Sequence, residues 1–190
     1  MREPGERVNP DLRVLGADAI AHVAGSLAAH LERTEGWLRR FGAREALCRA
    51  GRYHAIYGTA GIHAALVPLA NRQAVAAAIG NEAEAIVYRY AGCDRDRFHP
   101  RIGGAHECRF ADRFARCDCA VTPAELCDFC ELTLVNELDL VATSPRFRRK
   151  HRSDLYDLAQ RMRRHVSGAA YRTLCATLAA GGSATAGNAS

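Results

Sequence analysis

The sequence predicts an all-α bundle formed by a single domain, with one irregular insertion that is rich in cysteine and arginine. Three observations support this prediction. Apolar residues recur at three- and four-residue spacing through most of the chain, as they do on the buried face of a helix. Serine, threonine, proline and glycine stand where such helices would begin and end. The chain of 190 residues is long enough for one well-buried core.

The predicted helices follow one another with short breaks. Residues 1–12 are expected to be a flexible leader, residues 13–180 one helical domain, and residues 181–190 a disordered tail with nothing to bury. Within the domain, helices are expected over residues 17–24, 27–41, 43–57, 72–79, 82–90, 123–142, 153–166 and 168–179. The clearest start signal is Thr122-Pro123-Ala124-Glu125, with a capping threonine, proline at the first helical position and glutamate at the third.

Two segments interrupt this helical pattern. Residues 92–121 hold six arginines and four of the eight cysteines without helical periodicity, so they are expected to form an irregular insertion. A small hairpin is expected within it, around residues 108–110 and 114–117. Ser144-Pro145 is expected to end a helix, and residues 146–152 are interpreted as a solvated basic linker, with a phosphate-bearing substrate nearby as the alternative.

Composition limits the possible partners. The net charge of +5 suits a small anionic substrate, but it is too weak and dispersed to argue for nucleic acid. The sequence contains no run of about 18 apolar residues, so no transmembrane helix is predicted. Its N-terminus lacks the apolar centre of a secretory signal. We therefore expect a cytoplasmic protein that acts on a small molecule, with no membrane or nucleic-acid partner and with a homodimer left open.

Two histidines are related by their distance from one glycine. His30 lies 12 residues before Gly42, and His54 lies 12 residues after it. If the two helices fold back on each other at that glycine, each histidine is about 18 Å along its helix from the turn, at the same level. Both fall on apolar stripes, where imidazoles need either a metal ion or a hydrogen-bonded network. The alternative is that each is a core histidine satisfied by a nearby carbonyl.

These histidines lie in segments that resemble a known family. His22–Leu31 and Ala50–Thr59 are similar to an uncharacterised family of small HD-like helical proteins, as are Ile79–Glu84 and Val135–Asp139. The resemblance spans about residues 20–142. More distantly, the layout resembles the HD metal-dependent phosphohydrolase superfamily, in which a first helix supplies a histidine, a second a His-Asp pair and a later helix an aspartate.

The resemblance implies a metal-assisted active site that acts on a small molecule, with hydrolysis as the default reaction. His30 and His54 match the two histidines of the superfamily, and Asp139 is the candidate for the late aspartate. Together with His22 they could hold one divalent ion, such as iron, zinc or manganese. Ala55 stands where the superfamily has its metal-binding aspartate, which argues against a bridged two-metal centre.

The same pocket could also work by other chemistry. Without a metal, Tyr57, Glu84 and Asn136 become candidate catalytic residues around His54, with Glu84 or Asp139 orienting a histidine for a lyase, isomerase or cyclase. Oxidative chemistry at iron is a further possibility, and a catalytically silent ligand-binding module is another. Glu137 falls off the inward face of its predicted helix and is interpreted as solvated.

Five cysteines fall close together in the second half of the chain. Cys117-x-Cys119 and Cys127-x-x-Cys130, with Cys108, have a spacing that could hold a structural zinc ion. A zinc-stabilised interaction protein is therefore one more hypothesis. Free thiols are the favoured interpretation, because a reducing compartment disfavours disulfides and the second pair, Cys127 and Cys130, falls within a predicted helix.

Overall fold

Eight α-helices and two small antiparallel sheets make up the computed structural model, which describes residues 11–23, 25–61, 64–104 and 108–180. The helices are α1 Leu27–Arg40, α2 Glu45–Tyr53, α3 Arg72–Ile79, α4 Asn81–Gly92, α5 Arg95–Phe98, α6 Pro123–Thr143, α7 Pro145–Met162 and α8 Gly168–Ala179. One sheet pairs β1 (Ala21–His22) with β2 (Gly25–Ser26), and the other pairs β3 (Arg109–Asp112) with β4 (Cys117–Ala120). The predicted all-α fold class is confirmed.

The hairpin of α1 and α2 forms about Gly42 as the sequence predicts. Ser26 begins α1 by accepting a hydrogen bond from Ala29 N at 3.3 Å, and Gly42 makes the turn with a left-handed φ of 76°. Helix α2 is shorter than the predicted 43–57, since it ends one residue before His54. The Gly51 carbonyl, which would accept from the residue after His54 in a longer helix, instead accepts from His54 Nδ1 at 2.8 Å.

Gly51 allows the two helices of this hairpin to approach closely. A Cβ built at Gly51 would lie 2.4 Å from Leu38 Cδ1, and Leu38 is fully buried. We expect Gly51→Ala to lower the free energy of unfolding by about 1–3 kcal/mol, because Leu38 has to leave its packed position. Urea unfolding would measure this. Gly36→Ala is the control, since its Cβ meets nothing within 4 Å and an exposed helical alanine is expected to add about 0.5–1 kcal/mol. Equal effects of the two substitutions would contradict the close approach.

The chain before α1 differs from the prediction. Residues 17–24 were expected to be helical, but only a 3-10 turn at Ala17–Ala19 forms, and the hairpin of β1 and β2 follows it. Leu12 is buried in a small second core with Leu27 and Leu31, so the predicted leader extends too far at its C-terminal end. Residues 1–10 of that leader, and the predicted tail 181–190, lie outside the described residues.

The irregular insertion has a core of its own. It contains the short helix α5 and the β3–β4 hairpin, in which Phe110 pairs with Cys119. A hairpin therefore forms as predicted, but its second strand begins at Cys117, and most of the predicted second strand, residues 114–116, forms the turn. Phe98 packs edge-on against Phe110 and Phe129, with ring centroids 5.0 and 5.1 Å apart. These aromatic contacts attach the insertion to α6, and they bring α5 close to the centre of the bundle.

The predicted basic linker is wrong, because residues 146–152 lie within α7. Ser144 Oγ accepts a hydrogen bond from Phe147 N at 3.1 Å, and Pro145 occupies the first helical position. Serine followed by proline is as well suited to begin a helix as to end one. The break between α6 and α7 is therefore a single residue, and the basic side chains project from a helix.

Helix α6 lies at the centre of the bundle, in contact with α1, α4, α7 and α8. Its predicted capping box is confirmed: Thr122 Oγ1 accepts from Glu125 N at 3.2 Å, and Thr122 N donates to Glu125 at 2.9 Å. From Phe129 to Val141 every residue of α6 is buried, including its polar ones. Within the described part of the chain, no helix has both the length and the apolar character needed to cross a membrane.

Candidate functional site

A cavity of about 240 Å³ lies where the start of α1, the end of α2 and the middle of α6 meet, under the β1–β2 hairpin. Polar and aromatic side chains make up much of its wall: His22, His30, His54, Thr59, Tyr90, Arg95, Asn136, Glu137 and Phe147. The volume equals roughly eight molecules of liquid water. Its size therefore fits a small ligand.

The histidines meet as their spacing about Gly42 predicts. The ring centroids of His30 and His54 are 5.2 Å apart, with the rings edge to face. His22 joins them because β1 folds back over α1, and its ring stacks on that of His30 at 4.2 Å with an interplanar angle of 19°. The expectation that the two helical histidines share a pocket is confirmed.

Both ring nitrogens of His30 are hydrogen-bonded to side chains of α6. Nδ1 donates to Asp139 Oδ2 at 2.7 Å, and Nε2 donates to Asn136 Oδ1 at 3.0 Å. The Asn136 amide is oriented by its own bond from Nδ2 to Glu137 Oε1, at 3.2 Å. With an oxygen acceptor on each side, the His30 ring has the hydrogen-bond pattern of a doubly protonated imidazole.

Asp139 is the buried anion that pairs with Arg33 and binds the His30 ring. It is fully buried, and it accepts from Arg33 Nε at 2.7 Å and from Arg33 Nη2 at 3.0 Å in addition to His30. Burial alone would raise the pKa of Asp139, but the hydrogen bonds from His30 and Arg33 outweigh it and hold the pKa below its ordinary value. The carboxylate therefore stays ionised and fixes the His30 ring.

His54 and His22 are neutral at physiological pH. Burial, followed by the neighbouring His30, lowers the pKa of His54 to about 3 and that of His22 to about 4. Because His54 Nδ1 donates to Gly51 O, its Nε2 carries a lone pair. His22 Nδ1 is buried and has no hydrogen-bond partner among the described residues.

Two charged residues of the cavity were not predicted from the sequence. Glu137 was expected to be solvated, but it is only 9% exposed and lines the cavity. Burial raises its pKa above the ordinary value, against the opposing effect of Arg95. Arg95 comes from α5 in the irregular insertion and donates from Nη2 to the Tyr90 hydroxyl at 3.1 Å.

Tyr57 and Glu84, predicted as catalytic residues, belong to a separate buried group. Tyr57 donates to Glu84 Oε1 at 2.9 Å, while Arg72 donates to the two oxygens of the same carboxylate at 2.6 and 2.8 Å. Neither Tyr57 nor Glu84 lines the histidine cavity. The expectation that Glu84 orients a histidine is wrong, because its carboxylate is fully used by Arg72 and Tyr57. Asn136, the third predicted residue, does line the cavity.

The predicted metal ligands do not have the geometry of a metal site. His22 and His30 stack face to face, and both nitrogens of His30 are already hydrogen-bonded, so these side chains do not fit around one ion. Among the described residues, no three or more His, Cys, Asp or Glu side chains are arranged to hold a metal. The predicted set is instead brought together by packing and one hydrogen bond: the His22 and His54 rings pack against the His30 ring, and His30 binds Asp139.

The predicted zinc cysteines are also not assembled. Cys117 and Cys127 are exposed, Cys108 and Cys119 are half-buried, and Cys130 is buried in the core. All five are free thiols, and the absence of any metal-holding group among the described residues applies to them too. The interpretation as unliganded thiols fits this arrangement.

Comparison with known proteins found similarity over part of the chain. No curated protein and no solved structure matches it. Residues 11–95 match the model of a family described as Domain of unknown function (DUF6817). The matched region includes His22, His30, His54 and Arg95 but ends before Asn136, Glu137 and Asp139, and nothing links that family to the HD superfamily.

Proposed function

We propose that this protein is an enzyme that moves a proton within a small molecule bound in the histidine cavity, by acid–base chemistry of its own side chains. One observation carries the proposal. The Glu137 carboxylate and the neutral His54 ring line the same cavity of about 240 Å³, beside a His30 ring that Asp139 and Asn136 hold in place. Isomerases, lyases and cyclases work with such groups.

The environments of the two groups support different roles. Burial raises the pKa of Glu137 and lowers that of His54, and such opposite shifts are typical of a proton carrier beside a group that stays neutral. In the proposed reaction Glu137 takes a proton from the substrate and returns it to another atom of the same molecule. The electron pair stays on the substrate, so no oxidant or other co-reactant is needed.

His30 and His54 support this transfer. His54 Nε2 can accept a hydrogen bond from a substrate hydroxyl, which orients the molecule. The His30 ring packs against His54, and its hydrogen bonds to Asp139 and Asn136 fix this part of the cavity wall. Because Asp139 and Asn136 already hold the ring, no reorganisation is needed during the reaction.

The proposal can be tested in heavy water. The metal-depleted protein is incubated with a small-molecule extract in D₂O, and mass spectrometry follows deuterium incorporation and new products. We expect the wild-type protein to label or convert at least one compound. Glu137→Gln should lower that rate by roughly a hundredfold or more, since it removes the proton carrier. Glu82→Gln, which changes an exposed carboxylate away from the cavity, is the matched control.

Two results would overturn proton transfer. One is equal labelling by the wild-type protein and Glu137→Gln. The other is a compound that binds in the cavity while no compound is labelled or converted, which would identify a catalytically silent ligand-binding module instead.

Metal-assisted hydrolysis, implied by the HD-like resemblance, is the second candidate. One observation favours it: carboxylates that bind Nδ1 of a histidine, as Asp139 does for His30, commonly orient the ring for a metal ion. Metal analysis of the purified protein tests it with two variants. Bound iron, zinc or manganese that is retained in Cys119→Ser and lost in His30→Ala would support this candidate. Loss only in Cys119→Ser would assign the metal to the cysteines, and protein without metal in every preparation would contradict metal assistance.

A further inference from the structure

Arg95 is a half-buried cation in the cavity wall that forms no salt bridge with a carboxylate of the described residues, although Glu137 in the same wall acts on it electrostatically. Among the described residues, its side chain donates one hydrogen bond, from Nη2 to the Tyr90 hydroxyl at 3.1 Å. No Asp or Glu oxygen of the described residues lies within 4.0 Å of its guanidinium nitrogens. A guanidinium has five N–H donors, so most of the donors of Arg95 remain available.

Three other half-buried arginines are paired with carboxylates, whereas Arg113 and Arg148 have no carboxylate partner in the part of the chain that the structure describes. Arg33 forms two hydrogen bonds with Asp139, Arg72 forms two with Glu84, and Arg89 pairs with Glu125. Removing a cation from water without a partner is costly, and the protein avoids that cost at these three positions. At Arg95 an anionic partner can come from the cavity that the side chain lines.

Tyr90 adds a second donor at the same place. Its hydroxyl accepts from Arg95, so its own O–H proton is free to donate, and the side chain is 2% exposed in the cavity wall. The Tyr90 ring also packs edge-on against His54, with centroids 5.0 Å apart. The two donors therefore lie directly beside the ring that the proposed function uses.

We infer that Arg95 and Tyr90 form an oxyanion subsite that binds a carboxylate or phosphate group of the small molecule. The planar fork of an arginine matches two oxygens of such a group, and the Tyr90 hydroxyl would serve a further lone pair. This inference rests on the proposed function for the fate of the ligand. It deepens that function by stating the substrate class: a small oxyanion whose reacting part extends toward His54 and Glu137.

Ligand binding tests the subsite without any knowledge of the reaction. The probes are butyrate, inorganic phosphate and the neutral analogue butyramide, each titrated into the full chain and followed by thermal unfolding and calorimetry. We expect butyrate or phosphate, and not butyramide, to bind and to raise the melting temperature. Binding should weaken roughly tenfold to a hundredfold in Arg95→Gln, because charge-assisted hydrogen bonds are lost.

A conservative variant and a matched control complete the binding experiment. Arg95→Lys keeps the charge but lacks the fork, so it should bind with intermediate affinity and remain informative if Arg95→Gln unfolds. Arg97→Gln, on the exposed side of the same short helix and paired with Asp118, is the matched control and should bind as the wild-type protein does. A larger effect of phosphate than of butyrate would indicate a phosphate ester, and the reverse would indicate a carboxylic acid.

The subsite and the proton transfer can fail separately. Equal anion binding by the wild-type protein and Arg95→Gln, or binding of neither butyrate nor phosphate above that of butyramide, would overturn the subsite and leave the deuterium experiment unaffected. Glu137→Gln removes a negative charge from the cavity, so it should bind the anion at least as tightly as the wild-type protein. If that variant binds normally and also keeps full turnover, the proposed function is wrong while the subsite stands.

Discussion

Replacing Asp139 with asparagine is expected to lower the free energy of unfolding by about 2–4 kcal/mol, because it leaves the buried His30 ring and the half-buried Arg33 guanidinium without their carboxylate. The carboxylate is fully buried and accepts three hydrogen bonds, two from Arg33 and one from His30. An asparagine keeps the shape of the side chain. It cannot neutralise the guanidinium, and one end of it presents N–H donors to other donors. Urea unfolding near neutral pH measures the loss.

Asp118 offers a matched control for this substitution. It also receives two cationic partners, Arg97 at 2.9 Å and Arg101 at 3.0 Å, but its side chain is 29% exposed. Asp118→Asn is expected to cost less than about 1 kcal/mol, because water solvates the arginines that it leaves. Similar decreases in the free energy of unfolding at the two positions would show that burial does not make the ion pairs of Asp139 costly to break.

A second variant separates the charge from the packing. If the main cost of Asp139→Asn is the stranded charge, then adding Arg33→Met should recover part of the stability, since the unpaired guanidinium is removed as well. A double variant that is less stable than the sum of the two single changes would point to lost packing instead.

The meeting of His30 and His54 could be predicted because it depends on few quantities. A helix rises by a constant distance per residue, so two side chains equally far from a tight turn reach the same level. Gly42 supplies that turn, and the apolar residues beside each histidine set the face that points inward. Helix ends with strong capping signals, such as Thr122 and Ser26, were predictable for the same reason: each depends on a few adjacent residues.

His22 and Arg95 could not be assigned to the cavity in this way. Strands of two residues, such as β1 and β2, are too short to show an alternating pattern, so the segment around His22 was interpreted as helical. Arg95 lies in a segment without periodicity, where the packing of three phenylalanines and contacts with the β3–β4 hairpin fix the direction of the chain. Both positions depend on long-range contacts that leave no local signal.

Glu137 shows where the helical wheel itself fails. The wheel assumes that one side of a helix faces water, and on that basis Glu137 belongs to the solvated side. Helix α6 is surrounded by other helices, so its polar residues at positions 136, 137 and 139 are all buried. A central helix with several buried polar residues is a better indication of a site than the position of any one of them on a wheel.

The stability of the fold is expected to fall as the pH decreases below about 6.5, with His54 as a main contributor. The folded protein lowers the pKa of His54 to about 3, first by burial and then through the nearby His30, whereas the unfolded chain has the ordinary value of 6.5. Between these two values the unfolded chain binds a proton that the folded protein does not bind, so acid favours unfolding. By about pH 5 this costs on the order of 2 kcal/mol for His54 alone.

Comparison of the wild-type protein with His54→Gln isolates this contribution. Glutamine does not titrate, so the loss of stability between about pH 7.5 and pH 5 should be smaller in the variant by roughly 2 kcal/mol, as measured by urea unfolding. His22 and His99, whose pKa values burial lowers to about 4, add to the slope in both proteins. Glu137 acts in the opposite direction, since burial raises its pKa and its protonation favours the folded state. These contributions are present in both proteins and cancel in the difference.

His165→Gln is the control for replacing a histidine away from the cavity. If both variants reduce the loss of stability between about pH 7.5 and pH 5 by the same amount, the buried His54 ring does not cause the acid sensitivity.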